Sequence, residues 1–191
     1  MQEDNMEQQS IQQEYDEESV DSIEKTADKM IRQHVYMALG VGLFPIPFID
    51  FIGVSGIQLN LMRKLSELYD VPFSKDMVKN IIGALIGGAF PASAGSRILA
   101  SFSKAVPGVG QTLGALGSAT VSGASTYAVG KVFARHFAEG GTFLSFDPEK
   151  AKAFYEEMFK EGQEVAADIK TEKNEEDNAE GAADVKRWRH K

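Results

Sequence analysis

Residues Ala105 to Gly130 run for twenty-six positions without a single charge, and every fourth residue from 110 onward is small: Gly110, Gly114, Ser118, Ser122, Thr126 and Gly130. No other feature restricts the fold as strongly. A row four residues apart lies on one face of a helix, and small side chains there let a second backbone approach closely. Ala115, Ala119 and Gly123 widen the row. A second uncharged stretch covers seventeen residues from Asn80 to Ser96. These lengths reach the roughly 20 residues that cross a hydrocarbon core. The longer one is rich in Ser, Thr and Gly, so it suits the buried central helix of a bundle nearly as well. Gly114 and Ser118 are expected at a helix contact too close for a larger side chain.

Helical periods surround this segment and no strand pattern interrupts them. Val20, Ile23, Ala27, Met30, Ile31 and Val35 predict a first helix from Ser19 to about Leu39 or Gly42. Pro45 and Pro47 break it, each removing a backbone donor, and Asp50 is placed to cap a second helix to Tyr69. Asp50 also follows two prolines in apolar surroundings where an ion is costly, but capping is the preferred role. Ser74 is the expected cap of a third helix ending before Pro91, and a short fourth is expected over 93–105, stopped by Pro107-Gly108. The fifth runs from about Val109 to Ala138. Asp147-Pro148-Glu149 reads as cap, first-turn proline and first-turn acid of a sixth helix to about Lys170. The fold class is therefore all-α, a compact bundle of about six helices with two glycine-rich helices at its centre. Residues 1–18 and 171–191 are too polar to bury surface and are expected as disordered tails around a domain at 19–170.

The charge follows the same division. Ten acids and one lysine lie between Met1 and Asp28, and fourteen acids against five lysines between Glu139 and Asp184. Lys29 to Ala138 holds ten basic residues and four acids, 10 − 4 = +6. A cationic apolar middle suits an anionic lipid surface. Arg97, Lys104, Lys131 and Arg135 stand near the ends of the uncharged stretches, where long basic side chains reach headgroup phosphates. The plainer reading makes them ordinary surface charges and the acidic arms a solubility device. The terminal Lys186-Arg187-Trp188-Arg189-His190-Lys191 combines charge with an aromatic, but six residues carry little information, and no nucleic-acid partner is expected.

Recognisable chemistry is missing from the sequence. There is no cysteine, and no secretory signal is expected from the acidic start. Gly108-Val109-Gly110 lacks the third glycine of a dinucleotide fingerprint, and Gly130-Lys131 is followed by Val132 rather than the Ser or Thr of a phosphate loop. His34, His136 and His190 have no metal-ligand spacing. No cofactor, metal or catalytic residue is expected.

The segments Ala38-Leu39-Gly40, Phe44-Pro45-Ile46-Pro47-Phe48-Ile49-Asp50, Gln58-Leu59, Leu68-Tyr69-Asp70-Val71, Ala105-Val106-Pro107-Gly108-Val109-Gly110 and Thr126-Tyr127-Ala128-Val129-Gly130 resemble the YcjF-like domain of unknown function over about residues 25–138. The resemblance implies a bacterial protein of a family often joined to Era-like or dynamin-like GTPase domains or found in inner-membrane proteins. Pro45, Pro47, Asp50, Pro107, Gly108 and Gly110 carry its motifs. It implies no catalytic residues, and with no GTPase domain in these residues any GTP-related role falls to a partner. The expectation is a non-catalytic, membrane-associated accessory or scaffolding protein at the bacterial inner membrane or its cytoplasmic face. The alternative is a soluble cytoplasmic adaptor that binds a protein partner through an amphipathic helix.

Overall fold

The computed structural model describes the backbone of residues 2–42, 49–89 and 110–189, and the side-chain surroundings of 18–41, 53–86 and 119–172. Among these residues there are five helices and no strand: α1 Gln2–Gly42, α2 Ile49–Leu68, α3 Lys75–Ala89, α4 Gly110–Ala138 and α5 Pro148–Arg189. The all-α reading holds. The expected short helix over 93–105 lies outside the described residues, as do Pro45, Pro47, Pro107 and Gly108.

Helix α4 is the axis of the bundle. Asp28 meets Lys131, Ile31 meets Gly130 and Leu39 meets Gly123, so α1 runs antiparallel to α4. Phe154 lies at Arg135, Glu161 at Tyr127 and Ala166 at Gly123, so α5 is antiparallel to α4 as well, and parallel to α1. Helix α2 packs on α1 and α4, and α3 packs on α5. The uncharged character of α4 follows from this position. Ala124, Ala128, Val129 and Phe133 are fully buried, where a charge would be cut off from water. The charges of α4 come only in its last turns, where Lys131 and Arg135 pair with Asp28 and Glu139 near the surface.

Local chemistry sets the helix ends. The backbone N–H of Val78 donates to Ser74 at 3.0 Å, putting Ser74 in the cap position of α3. Asp147 caps α5 as its position before Pro148 predicts: Oδ1 accepts from the Glu149 N–H at 3.1 Å and the Lys150 N–H at 3.4 Å. At the end of α4, Gly140 takes φ 80°, Gly141 N–H donates to the His136 carbonyl at 2.8 Å and Gly140 N–H to that of Phe137 at 2.9 Å. This paired closure needs a left-handed residue, which glycine supplies without a Cβ clash. The turn is sealed by rings: Phe146 stacks on Phe133 at 4.5 Å, and Phe143 meets Phe137 edge-on at 5.1 Å.

Both chain ends depart from expectation. Helix α1 starts at Gln2 rather than Ser19, and α5 continues to Arg189 rather than stopping at Lys170, where disordered tails were expected. Low hydrophobicity argues against burial, not against helix. Residues 2–18 hold no Gly or Pro and are mostly Gln and Glu, which favour helix, so a helix already nucleated by packing propagates through them. Helix α2 begins at Ile49, so Asp50 lies inside its first turn; the environment of the Asp50 side chain is outside the described residues.

Candidate functional site

The described part of the small-residue row faces α1 and the core. Ser122 and Thr126 are buried, and the Thr126 hydroxyl donates to the Ser122 carbonyl one turn back at 2.9 Å, which satisfies it without a partner from another helix. A Cβ placed on Gly130 would stand 2.7 Å from Ile31 Cγ1. A Cβ on Gly123, in the companion row, would meet Leu39 Cδ2 at 3.1 Å and Ala166 Cβ at 3.2 Å. Gly110, Gly114 and Ser118 continue the row along the backbone of α4, and their side-chain surroundings lie outside the described residues. A close approach of one helix backbone to another involves a residue that the small-residue rows do not include. A Cβ on Gly162 of α5 would sit 2.9 Å from the Ala124 carbonyl oxygen and 3.0 Å from its Cα. Its signal was available, as a lone glycine inside a helical period.

A thread of polar groups crosses the core beside these rows. Gln58 of α2 donates through Nε2 to Ser125 Oγ of α4 at 3.1 Å, and Ser125 Oγ shares a hydrogen bond with the hydroxyl of fully buried Tyr155 of α5 at 3.1 Å. Burial pushes the Tyr155 phenol up to about 12, so it remains a neutral hydrogen-bonding group. The Tyr127 phenol is raised too, by burial first and then by donating to Glu161 Oε1 at 2.6 Å. Both phenols therefore stay protonated near neutral pH, and the thread fixes the register of three helices.

His34 is different. It is fully buried on α1, and its Nδ1 donates to the Met30 carbonyl at 2.7 Å, which makes Nε2 the unprotonated nitrogen of the neutral ring. Nε2 is buried with no hydrogen-bond partner. Burial depresses its basicity, with the nearby Lys64 charge of α2 acting in the same direction, against the Met30 bond and a lesser influence of the Asn60 side chain. His136 instead donates through Nε2 to the Thr142 carbonyl at 3.0 Å and helps close the turn after α4. No cluster of metal-ligating side chains occurs among the described residues.

The two described basic residues of the expected rim face acids of their own bundle. Lys131 pairs with Asp28 at 2.7 Å, and Arg135 pairs with Glu139 at 2.8 Å while its guanidinium lies 4.7 Å from the centre of the Phe154 ring. Both stand in the wall of a cleft of about 580 Å3 between α1, α4 and α5. Ala27, Tyr69, Ala134, Phe154 and Met158 supply apolar lining, and Glu24, Asp28, Glu139 and Glu161 line it with carboxylates. Arg97 and Lys104 lie outside the described residues. No described helix is long and apolar enough to cross a membrane.

The family model for a domain of unknown function, DUF697, matches residues 6–164, well over half of the chain. The chain belongs to this family. The resemblance read from the proline and Val-Pro-Gly-Val-Gly motifs thus extends beyond 25–138, taking in most of α1 and the first turns of α5 that pack on α4. The chain is also similar to Magnetosome membrane protein 22 of Magnetospirillum gryphiswaldense, at 36% identity over 147 residues, which cover 77% of this chain and 75% of that protein. No solved structure matches it.

Proposed function

We propose that this DUF697 protein is a non-catalytic accessory or scaffolding protein that attaches to a bacterial inner membrane, or to its cytoplasmic face, as a folded helical bundle. The observation that carries this reading is the similarity over three quarters of both chains to a protein whose name places it in a membrane. The central position of α4 supports attachment over insertion. From Ala119 onward its apolar side chains are already covered by the neighbouring helices, so sending it through a bilayer would strip those helices of their core. In this reading the small-residue row, continued through Ser118, Gly114 and Gly110, stiffens the scaffold, and Arg97 and Lys104 reach the headgroups. A GTPase is the protein partner we propose, the chain itself holding no phosphate loop.

A second reading, a cytoplasmic adaptor for a protein partner, is favoured by the pairing of Lys131 and Arg135 with acids of their own bundle, which withdraws two cations from lipid contact. Flotation of the purified chain with vesicles separates the two. Surface attachment predicts co-flotation with anionic vesicles at low salt, release at about 0.5 M salt where screening is nearly complete, and no flotation with zwitterionic vesicles. Absence from anionic vesicles at low salt overturns it in favour of the adaptor. With labelled GTP at micromolar concentration, the chain alone is expected to show no stoichiometric binding.

A further inference from the structure

The cleft between α1, α4 and α5 plays no part in the attachment just proposed, and its chemistry is opposite to that of a surface seeking anionic lipid. Four carboxylates share the lining with apolar side chains, against two cations that are already engaged: Lys131 with Asp28, Arg135 with Glu139 and the Phe154 ring. The lining keeps a net excess of two negative charges, 4 − 2 = 2. Val20, at its edge, is 53% exposed, an apolar side chain left uncovered among acids. Such a lining selects a ligand that is cationic along its length and carries one large apolar anchor.

The chain contains one segment of that composition, Lys186-Arg187-Trp188-Arg189. It cannot reach the cleft of its own molecule. Helix α5 is continuous from Pro148–Arg189, and thirty residues at about 1.5 Å each put Trp188 some 45 Å along the helix from Met158 in the cleft lining. The partner that brings the segment to the cleft is a second copy. We infer that the basic C-terminal end of α5 in one molecule docks in the acidic cleft of another, with Trp188 against Tyr69, Phe154 and Met158 and its flanking Lys and Arg against Glu24 and Glu161. Segment and cleft are different patches, so the contact is heterologous. It builds chains, or closes as a ring or a reciprocal pair. Aromatic and arginine anchors are the side chains that carry most of the energy in such contacts.

Trp188 is the only tryptophan, so its fluorescence reports the segment alone. Raising the concentration of the full chain is expected to shift Trp188 emission to shorter wavelength, to protect it from acrylamide, and to raise the sedimentation mass in parallel, all reversed by salt. The variant Glu24→Lys is expected to weaken association about tenfold and Arg187→Glu likewise, with the double variant recovering most of the loss because the charges are exchanged across one contact. Glu24 is exposed, so its replacement leaves the fold intact. Association that persists undiminished in Trp188→Ala or in Arg187→Glu overturns the inference, and so does a monomer with unshifted emission across the concentration range. A blue shift with anionic vesicles but none with concentration makes the segment a lipid anchor instead, an outcome that sinks self-docking and leaves membrane attachment standing.

Discussion

At single residues, the close contacts of the bundle separate glycines that are required from those that are tolerated. Gly162 abuts the backbone of Ala124, which cannot rotate away as a side chain can. Gly162→Ala is therefore expected to destabilise the chain by about 1 to 3 kcal/mol, the usual cost of forced repacking. Gly83, inside α3, has open space around it, and Gly83→Ala should stabilise by about 0.5 to 1 kcal/mol through lower chain entropy and better helix propensity. Urea unfolding of both variants checks the pair, and equal midpoints would remove the close approach. His34 makes a second claim, about pH. Its folded basicity lies below the ordinary value of 6.5, so the unfolded chain takes up a proton first as pH falls. Stability from this residue is complete above about pH 6.5 and declines from there toward the lower folded value. His34→Leu, which removes the titrating ring, should flatten that part of the stability profile relative to the parent.

The helices divide into those whose limits follow from sequence and those whose limits follow from packing. Ser74 and the Asp147-Pro148 pair mark the starts of α3 and α5 because a cap acts through its own neighbours within one turn. The burial of Thr126 and Gly130 could be read from their spacing because a four-residue period is itself the face of a helix. The far ends of α1 and α5 could not. Polar composition indicates that a segment lacks a core, yet a helix nucleated elsewhere runs on until a breaker stops it, and 2–18 contains none. The cleft was equally hidden, since Glu24, Asp28, Glu139 and Glu161 are drawn together only by the antiparallel packing of three helices. Glu172 shows where packing takes over. Although it lies in the polar stretch beyond Lys170, its carboxylate accepts from Tyr36 Oη at 3.0 Å and from Arg32 Nη2 at 3.0 Å, tying α5 to α1. Those two bonds hold its carboxyl below the ordinary value. Glu172→Gln should leave the melting temperature nearly unchanged, as expected for exposed pairs, while amide exchange quickens in the last turns of α5 beyond Lys170. Uniform exchange along α5 in both proteins would show that the tie orders nothing.

For the whole molecule the question is whether the bundle stays closed when it meets a membrane. An opening that inserted α4 would have to separate it from α1 and α5, exposing Ile31 and Leu39 on one side and Ala166 on the other. At about 25 cal/mol for each Å2 of apolar surface, that exposure is a large penalty unless lipid recovers it, and a helix as rich in Ser, Thr and Gly as α4 recovers little. Attachment as a closed body has no such cost. A covalent staple distinguishes the two. The natural chain has no cysteine, and a Cβ on Gly123 stands 3.2 Å from Ala166 Cβ, a few tenths of an ångström inside the usual spacing across a disulfide. Gly123→Cys with Ala166→Cys therefore gives one bond that locks α4 to α5. Because oxidised and reduced forms share the same substitutions, any packing strain at Leu39 is common to both and cancels in the comparison. Closed attachment predicts equal flotation of the two forms with anionic vesicles and equal release by salt. If the reduced form alone resisted salt extraction, α4 would be leaving the bundle for the bilayer, and surface attachment would have to be abandoned.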